Sequence, residues 1–482
     1  MKQMQSAISR TGLSALAAIL GVLSVTYNGI FAWFCFIPFF IAIQGLKPKS
    51  AAKYGALAGA IVSVLIFAGL YKYGVGIIAF ITFYLIINIA LFGYILGWIG
   101  EAAFKKKGVL FIPAIWVILE FCRTLSPISL PSNIAISQYN NFVLIQMASI
   151  TGIYGISFFI VLVNCLLFSF TKTRKQKLVT CALGFLLISS TLFHLPANAT
   201  PSVKKNSLNV SIIQGGIPLS MYRSVNKNPL AKEIIRKTYF QLTDKVKKKE
   251  TDLIIWPEGV LGEYAMQDPA LKKRLKSIPQ RKAAFFVAGI PSMSDKEIHN
   301  SAYVFSPSGK VLGRYDKMHP IPFFEDYKPG KKSPVIDTTL GKLGIAICFE
   351  STYPGMVRNL VKNGAEIILI LTNDAGFGKS TLVNLHAREA IFRAVETRRY
   401  VVRAAQSGIS MFIDPMGKVL SETKEFEKTI LTGSIEPLSG HTFYSRYGDV
   451  FVYLCIAGAL IMLLLSRKEE PGGRQYENKN TS

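Results

Sequence analysis

Asp252-Leu-Ile-Ile-Trp-Pro-Glu-Gly259 is a short, wholly apolar run stopped by proline, with a carboxylate delivered just past the stop. Such a run, bounded by turn residues, reads as a strand buried on both faces. The pattern recurs on either side, at Asn209–Ile213, Ala284–Ala288, Ala302–Phe305, Lys342–Ile347, Ala365–Leu371 and Val401–Ala405. Helical stretches separate several of these runs, notably Leu230–Lys248 and Leu382–Thr397. Strand and helix alternating over about 250 residues predict a layered α/β domain around a buried sheet. The short polar links Ser306–Lys310 and Asp414–Lys418 read as hairpin turns.

Outside this region the composition changes. The chain has 482 residues, of which 50% are hydrophobic and only 17% charged, with a mean hydropathy of +0.34. These figures exclude a disordered chain and a wholly soluble one. Six cysteines in this length do not make a disulfide framework. Five of them, Cys35, Cys122, Cys165, Cys181 and Cys455, lie in apolar stretches as small hydrophobes, which leaves Cys348 apart.

Apolar runs near the length of a membrane span occupy Thr11–Tyr27, Ile30–Leu46, Tyr54–Leu70, Gly76–Gly100, Val109–Leu125, Thr151–Phe170 and Leu178–Leu195, with one more at Asp449–Leu465. They predict a polytopic helical membrane protein of about eight spans with the α/β domain inserted before the last. The expected units are a membrane domain at 1–195, the inserted domain at 196–446, and a final span with its tail at 447–482. Lys2 and Arg10 ahead of the first run resemble a signal peptide, but the six spans that follow favour a retained helix.

Lys and Arg cluster at Lys2/Arg10, Lys47/Lys49/Lys53, Lys105/Lys106/Lys107, Lys172/Arg174/Lys175/Lys177 and Arg467/Lys468, which are alternate loops. By the positive-inside rule both termini are cytoplasmic and the inserted domain lies on the other face. The net charge of +26 fits nucleic acid or anionic lipid as a neighbour, and the apolar content favours lipid. The polar stretch from Ser126 to Ile150 is too long for a turn and is expected beside the inserted domain at the membrane surface.

Three polar residues stand at predicted strand ends. Glu258 follows the strand quoted above, Lys317 follows Gly313-Arg-Tyr-Asp, and Cys348 ends Leu343-Gly-Ile-Ala-Ile. A nucleophilic thiol needs a base and a positive group for the negative charge that develops, and Glu and Lys supply both without a histidine. Each has a bland reading: a core thiol, a turn-capping carboxylate, one lysine among many.

Their joint order lifts them above those readings. Trp256-Pro-Glu-Gly, Tyr315-Asp-Lys and Cys348-Phe-Glu resemble the three sequence blocks of the nitrilase, or carbon-nitrogen hydrolase, superfamily. With the spans added, the chain resembles that superfamily's membrane-embedded branch, the apolipoprotein N-acyltransferases. Glu120-Phe-Cys-Arg, Gln146-Met-Ala-Ser-Ile-Thr-Gly-Ile-Tyr-Gly-Ile-Ser-Phe, Asn373-Asp-Ala-Gly-Phe-Gly-Lys and Thr442-Phe-Tyr-Ser-Arg-Tyr-Gly-Asp carry the likeness across almost the whole chain.

The resemblance implies an αββα sandwich with Cys348 as nucleophile, Glu258 as general base and Lys317 as oxyanion stabiliser. Glu325 and Glu350 match acidic residues that support the triad, and the backbone N–H of Phe349 would join Lys317 at the oxyanion. It further implies a bacterial inner-membrane enzyme with a periplasmic catalytic domain, acting as a monomer without metal or cofactor and without nucleic acid. The implied donor is a phospholipid and the implied acceptor a diacylated apolipoprotein. Phe349, Phe324 and Gly376 stand where the family usually has Tyr, Gly and Trp, and Arg223 stands where a Trp is expected. These departures touch lipid or acceptor preference rather than the triad. Two alternatives stay open at this point: a membrane-tethered amidase using water as acceptor, and a catalytically silent scaffold.

Overall fold

The computed structural model describes residues 2–100, 109–126, 129–169, 207–225, 227–294, 297–322 and 325–468. The first half of the α/β region supplies β1 (Leu208–Gln214), β2 (Leu253–Trp256), β3 (Phe285–Gly289), a small hairpin of β4 (Ser292–Ser294) and β5 (Glu297–His299), then β6 (Ser301–Phe305) and β7 (Val311–Asp316). The second half supplies β8 (Val335–Thr338), β9 (Gly341–Ile347), β10 (Ile367–Thr372), β11 (Val401–Ala405), β12 (Met411–Ile413) and β13 (Val419–Glu422). β14 (Thr429–Ile435) returns to the first half.

Two six-stranded sheets result, ordered β14-β1-β2-β3-β6-β7 and β13-β12-β11-β10-β9-β8. Each has a parallel centre, β1-β2-β3 in one and β9-β10-β11 in the other, with antiparallel strands outside it. All seven strands read from the sequence are present, and both polar links close hairpins.

Helices of eight residues or more are α1 (Lys2–Thr26), α2 (Phe36–Ile43), α3 (Pro48–Phe67), α4 (Val75–Ile99), α5 (Phe111–Thr124), α6 (Ile153–Ser169), α7 (Pro229–Lys245), α8 (Pro269–Lys282), α9 (Pro354–Lys362), α10 (Thr381–Thr397) and α11 (Val450–Lys468). Strand alternation sorts the core. Leu253 and Ile255 of β2 join the cluster that includes Leu343 and Ile345 of the second sheet, while Ile254 and Trp256 join Ile235 and Tyr239 of α7 and Leu271 of α8. Trp256 is fully buried, with its Nε1 donating to Thr243 Oγ1 at 2.8 Å. The layering is therefore helix, sheet, sheet, helix, the αββα sandwich that the resemblance implied.

The remaining helices bury apolar side chains in a cluster continuous with the core between the sheets and leave others facing outward, among them Val64, Leu65, Phe83, Leu91, Leu454 and Ile461. An outer surface of this kind is stable against lipid rather than water. Among the described residues, three stretches are long and apolar enough to cross a membrane, Ser9–Thr26, Pro48–Tyr71 and Val75–Ile99. Gly29–Ile43, Ile153–Ser169 and Val450–Leu464 are apolar but shorter, and α5 carries the buried ion pair Glu120–Arg123 at 3.1 Å. The expected seventh span, 178–195, lies outside the described residues, so the count of eight is not reached among them.

Cys122, expected as core filling, is exposed on α5. The polar stretch before α6 does meet the sandwich: Ser129 Oγ donates to Thr352 O at 2.9 Å, and Thr352 Oγ1 returns a bond to Ser129 O at 2.8 Å. Further ties are Glu396 accepting the N–H of Ile153 at 2.9 Å and the Arg358–Asp449 pair at 2.7 Å.

Candidate active site

The loop after β2 turns at Pro257 and places Glu258 against the end of β3. That approach needs Gly289, because a Cβ there would come within 2.2 Å of Pro257 O and 2.7 Å of Glu258 Cα. Glu258 is 6% exposed. Its Oε1 accepts from Asn300 Nδ2 at 2.7 Å and from Lys317 Nζ at 3.3 Å, and its Oε2 accepts the N–H of Asn373 at 2.7 Å. Three donors fix a carboxylate that burial alone would leave poorly solvated.

Lys317, just past β7, is wholly buried and also donates to Glu325 Oε1 at 2.6 Å. Cys348 follows β9 in a left-handed conformation, φ +58°. A non-glycine residue held there is strained, and surrounding structure has to impose it. Glu350 is one such constraint. Its Oε2 accepts the N–H of Ile347 at 2.7 Å, and its Oε1 accepts from Tyr315 Oη and Met318 N, each at 2.7 Å, and from His319 N at 3.1 Å. One side chain thus pins the Cys348 turn to the segment that carries Lys317.

Burial opposes the charge on Lys317, but Glu325 and Glu258 outweigh it and hold the ammonium well above its ordinary pKa. Burial, with Lys317 opposing, raises the Glu258 carboxyl, and burial followed by the Glu258 charge pushes the Cys348 thiol well up. At rest Cys348 is a neutral thiol with the fixed Lys317 cation nearby. Such a thiol can act as a nucleophile only if its proton leaves as a bond to sulfur forms, and a carboxylate beside it can take that proton.

Glu258, Glu325, Cys348 and Phe349 line a cavity of about 680 Å³. Its polar wall includes Asn300, Asn373, Lys232 and Asp268, and its apolar wall includes Phe67, Leu70, Ile77 and Ile81, from the adjoining ends of α3 and α4 and the turn between them.

The fold brings together the residues singled out in the sequence: Glu258, Lys317, Cys348, Glu325, Glu350 and Phe349. Among the departures, Gly376 lies in a buried turn and Arg223 is exposed on the short helix Leu219–Ser224, while Phe324 lies outside the described residues. Sequence reasoning missed Asn300 and Asn373, which hold Glu258, and the buried cluster of Asp374, His386 and Arg403. Asn373 and Asp374 stood in a stretch quoted for family likeness, and that was their only signal. Asn300 had none.

Residues 210–440 match the carbon-nitrogen hydrolase family and residues 8–166 match the apolipoprotein N-acyltransferase N-terminal domain. A curated protein of Geobacter metallireducens, "Apolipoprotein N-acyltransferase", is 30% identical over 94% of both chains. Proteins of Thermotoga maritima and Treponema denticola, "Apolipoprotein N-acyltransferase" and "Apolipoprotein N-acyltransferase 1", are each 27% identical, over 94% and 92% of this chain and 93% of their own length.

Proposed function

The chain belongs to the apolipoprotein N-acyltransferase family, and from that premise we propose that it moves an acyl chain from a phospholipid, through a thioester on Cys348, to the α-amine of an apolipoprotein's N-terminal S-diacylglyceryl cysteine. In the first half-reaction Cys348 Sγ attacks an ester carbonyl while Glu258 takes the thiol proton. Lys317 and the backbone N–H of Phe349 stabilise the oxyanion. The C–O bond breaks, the lysophospholipid leaves with the proton from Glu258, and the acyl group stays on sulfur. In the second half the free amine attacks the thioester, Glu258 accepts its proton, and the thiol is restored.

One observation carries the reading. Cys348 lines a cavity whose wall also includes apolar side chains of α3, α4 and their connection. That wall suits an aliphatic acyl chain arriving from the hydrocarbon layer. Amidase chemistry with a small polar amide gives the wall no purpose, and the relatives match the membrane part as well as the sandwich, so the amidase alternative is not favoured. The membrane arrangement belongs to the same proposal: eight spans at the inner membrane, both termini cytoplasmic, 196–446 as a periplasmic catalytic unit, and a monomeric enzyme. The alternate Lys and Arg clusters support that orientation.

The test uses purified protein in detergent. With phospholipid alone it should stall after about one lysophospholipid per enzyme, with the acyl mass on the Cys348 peptide and removable by hydroxylamine. Turnover should resume on adding a diacylated lipopeptide with a free N-terminal amine. Continuous release of fatty acid without that lipopeptide would favour hydrolysis instead.

A further inference from the structure

A second buried polar cluster abuts the nucleophile, and the acyl-transfer chemistry above makes no use of it. Asp374 follows β10, His386 lies on α10 and Arg403 lies in β11, and all three are essentially inaccessible. Asp374 Oδ2 is 3.0 Å from Arg403 Nη2, and its Oδ1 accepts from Thr372 Oγ1 at 2.9 Å. His386 Nδ1 stands 3.0 Å from the same Oδ1 and 3.1 Å from Arg403 Nη2. The cluster has no slack, since a Cβ on Gly408 would approach Asp374 Oδ2 to 2.0 Å. The ring of His386 is therefore anchored at one edge to two strands of the second sheet.

Its other edge and one face reach the nucleophile's turn. Nε2 lies 3.3 Å from Ser351 Oγ, and Ser351 Oγ donates to Cys348 O at 3.0 Å. The ring stacks on Phe349 at 4.8 Å with an interplanar angle of 15°. Glu350 restrains the turn through the N–H before Cys348. His386 reaches the carbonyl of Cys348 through Ser351 and, with Phe377 edge-on at 5.7 Å, restrains the Phe349 ring. A packing role for the ring would call for the stack alone and would leave the link through Ser351 without purpose.

We propose that His386 is a positioning residue for Cys348, holding the strained turn through Ser351 and fixing Phe349, and with it the N–H next to the nucleophile, through the stacked ring. Relaxation of the Cys348 turn would swing the thiol away from Glu258 and Lys317 and turn the Phe349 N–H off the oxyanion. The effect belongs to acylation rather than to phospholipid binding. The inference rests on Cys348 being the nucleophile, and it needs no particular acyl donor.

The experiment uses the full chain in detergent with three variants: Ser351→Ala, which deletes only the linking hydroxyl, His386→Phe, which keeps a stackable ring without nitrogens, and the double variant. Two readouts are taken. One is the single-turnover rate of lysophospholipid formation, and the other is the rate of Cys348 alkylation by iodoacetamide, followed by mass on the Cys348 peptide. Ser351→Ala should slow both by about tenfold, the size of one lost hydrogen bond, with the phospholipid concentration dependence unchanged. Since both residues act through one link, the double variant should be no slower than His386→Phe alone.

Wild-type rates in Ser351→Ala, or effects that multiply in the double variant, would overturn the proposal. If His386→Phe does not fold, Ser351→Ala decides alone. If the wild-type protein is alkylated at Cys348 but makes no lysophospholipid, the functional reading fails while the alkylation series still judges His386.

Discussion

Burial and the Glu258 charge both hold the Cys348 thiol well up, so in the proposed mechanism it stays protonated until attack. Each member of the triad should therefore fail in its own way. Cys348→Ala should leave no acyl-enzyme by mass. Glu258→Gln keeps the shape without the base and should slow acylation by about 10² to 10⁴. Lys317→Arg replaces a compact ammonium with a planar fork in a fully buried slot and should be similarly damaging. Cys122→Ala, on the exposed face of α5, should be near neutral. Stability has its own pH signature. Burial, with Arg393 opposing, raises Glu389 from 4.5 to about 8. Such a carboxyl binds its proton more tightly folded than unfolded, so its stabilising contribution is full below 4.5 and is lost as pH rises through about 8. Glu389→Gln locks in the neutral form, so its Tm in detergent should fall less than wild type between about pH 5 and pH 8. Parallel Tm profiles by scanning fluorimetry would show that Glu389 is not the group responsible.

At the scale of elements, α3 and α4 lie so close that only glycine fits at three crossings. A Cβ on Gly55 would sit 2.3 Å from Ile89 O, one on Gly59 2.8 Å from Leu85 O, and one on Gly93 2.6 Å from Ala51 O. Small residues of this kind let helix backbones approach where the hydrophobic effect gives no help. Because the same pair ends in the cavity wall at Phe67 and Ile77, Gly55→Leu should lower Tm by several degrees. It should also raise the phospholipid concentration needed for half-maximal acylation, and an unchanged dependence would separate helix packing from the wall. How legible each element was follows from its burial. β2, β3, β9 and β10 are near-continuous apolar runs and announced themselves. β7, β13 and β14 alternate between covered and exposed residues and sit toward or at sheet edges, and α8 is dense in Lys and Arg, so their sequences look like polar loops. The proposed triad could be picked out because each candidate directly ends a readable strand or follows a short motif. Asn300, His386 and Arg403 could not, because what makes them part of a site is a partner 29 to 42 positions away that no local pattern encodes. The pairs Asn300–Glu258, Ser351–His386 and Arg403–Asp374 are separated by 42, 35 and 29 positions.

The whole molecule joins a sandwich, whose helices α7 and α8 face outward, to a helical part that needs lipid, through a seam of polar ties. Arg388 Nη1 donates to Val25 O at 3.0 Å with its guanidinium 3.9 Å over Tyr139, and Gln146 Nε2 donates to Met416 O at 2.9 Å. That seam fixes which end of α1 the sandwich covers, so one orientation of α1 decides the side on which the catalytic site lies. Lys2 and Arg10 stand at the opposite end of α1 from Val25, and positive residues are retained on the cytoplasmic side. The sandwich is then expected outside. In a cysteine-free background, Lys245→Cys at the end of α7 should react with an impermeant maleimide added to intact spheroplasts. Lys106→Cys, in a lysine cluster between α4 and α5, should react only after the membrane is opened. Labelling of Lys106→Cys in intact spheroplasts with protection of Lys245→Cys would invert the molecule and put the thiol on the wrong side for an exported lipoprotein. Equal labelling of both would mean that α1 to α4 do not cross the membrane in the order proposed.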